Sequence, residues 1–127
     1  MTLVAIIVGG LVGTGLRLGI DALLPRADDA FPWSTLLINV VGSFALGALV
    51  ARLWPVAPHW LKAGLGAGLL GSFTTFSALT VSFVTLIDAG SGDVAVLYVV
   101  VSIVAGLAAA LIGLRLGTGP EPIGPEE

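Results

Sequence analysis

The chain has 127 residues, of which 57% are hydrophobic and only 10% charged, with a mean hydropathy of +1.09 and a formal net charge of −3. A soluble domain carries about 25% charged residues, so there is too little polar surface here to cover a water-soluble ball, and lipid is the expected solvent. The absence of cysteine removes disulfides, thiolate metal sites and cysteine nucleophiles; the lone histidine, His59, forms no cluster, and nothing basic enough to hold nucleic acid is present.

Crossing about 30 Å of hydrocarbon at about 1.5 Å per residue takes about 20 helical residues. The first segment of that length is 3–24. It is apolar from Leu3 onward, has no basic leader or Ala-x-Ala cleavage site, and reads as a membrane helix rather than a cleaved signal peptide. Gly9 and Gly13, and Gly15 and Gly19, are Gly-x-x-x-Gly pairs of the kind that let helices approach closely. Arg17 lies well inside the span with Asp21 one turn on, which suits either a snorkelling ion pair or an electropositive vestibule that gathers anions. Pro25, Arg26, Asp28 and Asp29 close the segment.

The second span is expected over 33–53. Asn39, Ser43 and Gly47 line one stripe at i, i+4 and i+8. A buried amide must find partners, so Asn39 is either interhelical glue or an N–H donor facing an ion. The third span, 60–87, contains the pair Gly64 and Gly68 and then the run Gly71-Ser72-Phe73-Thr74-Thr75-Phe76-Ser77 at mid-membrane. Glycine and β-branched threonine weaken a helix there. Either the helix breaks, exposing carbonyls and N–H groups, or it stays intact with hydroxyls bonded back to i−4 carbonyls. Phe76 is followed by Ser77, Leu79, Thr80 and Phe83, and an aromatic ring has a positive edge able to touch an anion. The fourth span, 94–116, carries the stripe Tyr98, Ser102, Gly106 and Ala110.

These spans are continuously apolar, so the reading is an all-α membrane protein with four transmembrane helices, the third broken near its middle, and not a barrel of alternating strands. Trp33, Trp54 and Trp60 fall at span ends, where indole rings favour the interface. The connections are too short for an extramembrane domain, leaving residues 1–116 as one unit and 117–127 as a disordered polar tail. Arg52, Lys62 and Arg115 flank one side and Arg17 and Arg26 the other. This bias is too weak to fix orientation. Copies inserted both ways could pair as an antiparallel dual-topology dimer, an economical way for so short a chain to enclose a pore.

Three motifs in order carry a resemblance. "GGLVGTGLR" in the first span, "WSTLLINVVGSFALG" in the second and "GSFTTFSAL" in the third resemble the signatures of the small dual-topology fluoride channel family. The resemblance implies a multi-pass protein of the cell membrane that exports fluoride passively down its electrochemical gradient and so lowers cytoplasmic fluoride toxicity. It implies an antiparallel homodimer with two pores at the subunit interface. Asn39 looks like the pore asparagine, Phe76 like the first phenylalanine of an aromatic box, and Arg17 like the vestibule arginine. Tyr98 and Ser102 look like a polar track that Ser77 and Thr80 extend. The backbone carbonyls of Gly71 and Thr74 look like one subunit's share of a structural Na+ site on the dimer axis. Leu79 stands where the family has a second phenylalanine, and Gly106 where a track hydroxyl is common. Those departures fit lower throughput or pairing with a paralogous subunit.

No catalytic constellation is present, so no enzyme is expected. A small multidrug exporter needs an acidic residue deep in the membrane, and no Asp or Glu occupies the centre of a span. A non-transporting membrane scaffold would explain the glycine stripes, but Asn39 and the polar run Ser72–Ser77 less well.

Overall fold

The computed structural model describes residues 1–118, so the expected polar tail lies outside the described residues from position 119 onward. The helices are α1 (Thr2–Leu23), α2 (Trp33–Arg52), α3 (His59–Ala63), a π-helical stretch (Gly64–Leu70), α4 (Gly71–Phe73), α5 (Phe76–Asp88) and α6 (Gly92–Gly117). Gly117, placed in the tail by the sequence, is still helical. The stretch from α3 to α5 is one membrane-length unit, and with α1, α2 and α6 it makes four helices long and apolar enough to cross a membrane. The chain is therefore a multi-pass, all-α membrane protein.

The helices pair 1 with 3 and 2 with 4, and glycine sets both pairings. A Cβ on Gly9 would lie 2.9 Å from the Leu69 amide nitrogen, and one on Gly13 would collide with the Leu69 carbonyl, so α1 rests directly on the backbone of the π stretch. The contact climbs in step along both elements, from Ala5 against Gly64 to Gly13 against Phe73, so α1 and the third span run parallel. In the other pair, Gly47 faces Ala110 and Leu114, and Gly113 faces Phe44 and Ala48, which makes α2 and α6 parallel. Backbone contact of this kind replaces the hydrophobic effect as the packing force in lipid. Gly15 and Gly19, in contrast, have nothing within 4 Å of a built Cβ, so their Gly-x-x-x-Gly pattern joins no helices among the described residues.

The third span departs from a regular helix twice. Gly64, Gly66 and Gly68 sit in seven residues of π-helix. Glycine lowers the cost of loosening the i→i−4 ladder, and the close seat of α1 occupies the loosened backbone. One turn later the helix breaks outright. Thr74 (φ −75°, ψ 151°) and Thr75 (φ −150°, ψ 121°) are both extended. Thr75 then starts α5 as its N-cap, its hydroxyl accepting from the Ala78 N–H at 3.1 Å. Back-bonding occurs beside the break rather than instead of it: the Thr74 hydroxyl donates to the Leu70 carbonyl at 2.8 Å and that of Thr80 to the Phe76 carbonyl at 3.1 Å.

The apolar core is small and lies where α2, α5 and α6 meet, around Leu36, Leu86, Ala95 and Tyr98. Phe31, from the loop before α2, presents an edge-on ring to Tyr98 with centroids 5.6 Å apart. Most large apolar side chains of α1 and α6 point outward, as expected where lipid, not water, is the surrounding medium.

Candidate functional site

The break is held by Asn39. Its amide oxygen accepts from the Thr75 N–H at 2.8 Å, and its Nδ2 donates to the Thr75 carbonyl at 3.1 Å. This two-point contact gives Thr75 the partners that a strand would supply, which is how an extended residue survives at membrane depth. One turn on, α2 presents Gly42, whose missing Cβ makes room for the Thr74 methyl. The pattern Asn39-x-x-Gly42 thus seats both threonines of the break on one face of α2.

Asn39 does not spend its whole amide on this task. An –NH2 has two hydrogens, and only one goes to Thr75. The break releases further groups. The Thr75 N–H turns to Asn39 rather than to the Gly71 carbonyl, and the carbonyls of Gly71 and Thr74 receive no backbone N–H. At the start of α5, the N–H groups of Phe76 and Ser77 precede the first helical bonds and have no acceptor among the described residues. Asn39, Ser43, Gly71, Thr74, Phe76 and Leu79 all border a groove of about 390 Å³ along this edge. A helix N-terminus with free N–H groups favours negative charge, while bare carbonyls favour a cation. The two ends of the break therefore offer opposite polarity.

The structure divides the expected site residues into three groups. Asn39, Gly71, Thr74, Phe76 and Leu79 meet at the groove. Phe76 is 81% exposed, and Ser77 and Thr80 share its outward side. Ser77 pairs with the Thr75 hydroxyl at 3.0 Å. Leu79 also leans on the core around Leu36 and Tyr98. Tyr98 and Ser102 form a second group, buried between helices, and among the described residues neither hydroxyl has a hydrogen-bond partner. Arg17 stands apart on α1, one turn beyond Gly13. The parallel register carries it to the level of the break. Its Nε is buried without a partner, and among the described residues no ion pair joins it to Asp21.

Three residues of the second group did not stand out in the sequence. Thr35, Ser82 and Arg26 gather with Tyr98 and Ser102, Arg26 donating to the Ser82 hydroxyl at 3.2 Å and to the Ala30 carbonyl at 3.1 Å. Thr35 was in reach of pattern analysis, since it extends the Asn39–Ser43 stripe by one turn; Arg26 and Ser82 were not, being 56 positions apart. Among the described residues no three His, Cys, Asp or Glu side chains assemble to hold a metal ion.

Comparison with known proteins supplies independent information. The family model described as CrcB-like protein, Camphor Resistance (CrcB), matches residues 4–114. The chain is 38% identical over 118 residues to a protein of Paracoccus denitrificans named fluoride-specific ion channel FluC, covering 93% of this chain and 95% of that one. A protein of the same name from Sphingopyxis alaskensis is 41% identical over 118 residues, covering 91% and 94%. Another from Thermus thermophilus is 40% identical over 111 residues, covering 86% and 89%.

Proposed function

The chain belongs to the CrcB-like family, and from that premise we propose that it is a passive, fluoride-selective channel of the cell membrane that lets fluoride leave down its electrochemical gradient. The observation that carries this reading is the Asn39 clamp. It holds a helix break open in such a way that the second amide hydrogen, the free N–H groups opening α5 and the exposed Phe76 ring border one groove. Fluoride is compact and strongly hydrated, so a pore must replace its water with donors and still release it. Several modest sites in series accomplish that better than one deep trap. The amide and N–H groups donate hydrogen bonds, and the positive edge of Phe76 supplies a weak contact that does not hold the ion. Arg17, charged and level with the break, raises the potential for an approaching anion.

A ring that is 81% exposed on one chain is suited to a wall shared by two. In this reading the pore lies between two copies arranged antiparallel, with Phe76, Ser77 and Thr80 facing the partner and Tyr98 and Ser102 continuing the hydroxyl path. The carbonyls of Gly71 and Thr74, left without N–H partners, are hard oxygen donors of the kind that suit Na+. A sodium ion there would join the two breaks and add a fixed positive charge beside the path.

A second reading, in which a paralogous subunit completes the pore, is favoured by Leu79. It sits at the groove beside Phe76 but turns in part toward its own core and offers no ring edge. The test is fluoride efflux from liposomes containing only this purified protein, with chloride as the control anion. Fast, fluoride-selective efflux establishes a self-sufficient homodimer. No efflux from folded, inserted protein refutes the homodimer, and adding a paralogous subunit then decides between a shared pore and none.

A further inference from the structure

Two grooves meet on α2. The first, at the break, is bordered on α2 by Asn39, Gly42, Ser43 and Leu46. The second, of about 250 Å³, follows the seam between α2 and α6 and is bordered by Ser43, Leu46, Gly47, Val50, Ala110 and Leu114. Ser43 and Leu46 belong to both. From Asn39 to Val50 is about 16 Å along the axis at about 1.5 Å per residue, and α2 ends just beyond, at Arg52. Together the grooves form one trough from the break to the end of the bundle at which α2 stops.

The chemistry along that trough changes at Ser43. Toward the break lie the Asn39 amide and the freed N–H groups of α5. Toward Arg52 the seam is lined by Leu46, Gly47, Val50, Ala110 and Leu114, none of which has a polar side chain. Ser43 therefore carries the last side-chain donor along the trough. Its hydroxyl is also uncommitted. Those of Thr74, Thr80 and Thr85 each donate to the carbonyl four residues back. Ser43 is half-buried, and among the described residues its hydroxyl has neither that bond nor another, and it is not among the unpartnered polar atoms sealed inside the chain. It opens on the groove. Across the seam α6 presents Gly106, where a built Cβ would stand 3.8 Å from the Ser43 oxygen. That is ordinary contact, so packing does not force glycine there, and its bare backbone leaves room beside the hydroxyl for a small ion.

We propose that Ser43 is a second ion-binding residue of the path: its hydroxyl takes fluoride over from Asn39 and holds it where the donors give way to the apolar seam between α2 and α6. Asn39 and Ser43 lie one turn apart on one face of α2, about 6 Å along the axis. The ion steps from the spare amide hydrogen to the hydroxyl without being left bare. Two donors in series, each making one bond, hold a strongly hydrated ion weakly enough to pass it on. Fluoride is the smallest halide and the strongest hydrogen-bond acceptor among them, so a single hydroxyl between Leu46 and bare glycine favours it over chloride. The inference rests on the fluoride-channel reading for the identity of the ion; the open hydroxyl and its place in the trough do not.

The test varies the donor while changing side-chain volume little. In liposomes containing full-length protein, Ser43→Ala should lower fluoride efflux about tenfold, the scale of one hydrogen bond to a charged group. Ser43→Cys, a weaker donor, should fall between alanine and wild type, and both variants should unfold at the wild-type midpoint in detergent. A packing role predicts the reverse order, with alanine near wild type and the larger thiol lowest. Wild-type efflux from Ser43→Ala, or a loss that tracks a lower unfolding midpoint, overturns the proposal. The second readout needs no transport. The chain has no cysteine, so in Ser43→Cys the S–H stretching band belongs to that one thiol. Adding fluoride should shift the band to lower frequency, and the same concentration of chloride should leave it in place. A band that ignores fluoride, or answers both ions alike, removes Ser43 as a fluoride site. If wild-type protein passes no fluoride, the homodimeric channel fails separately, and the S–H band alone decides the role of Ser43.

Discussion

Replacing Asn39 by alanine removes both bonds to Thr75, those of 2.8 and 3.1 Å, and leaves a backbone N–H and a carbonyl without partners at membrane depth. Interhelical bonds in membranes contribute about 0.6–2 kcal/mol each, and an orphaned buried group costs about 1–3 kcal/mol. Asn39 is only half-buried and borders the groove, so water there offsets part of the loss, and about 2 kcal/mol is expected. That is about a thirtyfold shift away from the broken geometry. Asn39→Asp separates the two bonds. Its carboxylate still accepts from the Thr75 N–H but cannot donate to the carbonyl, and it puts a negative charge in the path. That charge also faces the Thr75 carbonyl oxygen at membrane depth, so the variant should cost at least as much stability as Asn39→Ala and abolish fluoride efflux. The assay is denaturant unfolding in detergent micelles alongside liposome efflux for wild type and both variants. If Asn39→Ala unfolds at the wild-type midpoint, the clamp is not holding the break. If Asn39→Asp conducts normally, Asn39 does not face the ion path.

Phe76→Ala should leave unfolding within about 0.5 kcal/mol, as expected for an exposed position, while lowering fluoride efflux at least about tenfold; equal loss of both would show the ring is packing. Gly13→Val forces a side chain onto the Leu69 carbonyl and should cost about 1–3 kcal/mol or more, whereas Gly19→Ala, with open space around it, should leave the melting temperature of the isolated subunit unchanged. Thr75→Val removes the N-cap of α5 and should destabilise by about 1 kcal/mol, measured as earlier loss of helical circular dichroism on heating.

The parts of this molecule that were legible in sequence are those whose cause is local. Continuous apolar runs dictate membrane helices, and the cluster Gly71–Ser77 weakens the third helix where it does break. The π stretch was not legible, because glycine only permits it; the close seat of α1, a contact between distant segments, occupies it. The role of Asn39 was legible as a pair of alternatives. Spacing marks a polar residue at depth, but only the geometry shows the amide divided, one hydrogen to Thr75 and one left over. Likewise the pairs Gly9–Gly13 and Gly15–Gly19 look alike as text, and only the fold decides that the first is packed and the second bare. The Arg26–Ser82 contact spans two loops and two helices, and no window of the sequence contains it.

Neither tight helix pair joins neighbours in the chain: α1 seats on the third span, and α2 on α6. During synthesis the first membrane helix therefore waits in the lipid until the third has emerged, and the second waits until the fourth. A chain halted after three spans would expose the glycine face of α2, with Gly47 uncovered, to any small-residue helix nearby. Completion of the last helix is thus the step that commits the bundle, and a nascent copy paused before it is the one most open to wrong partners.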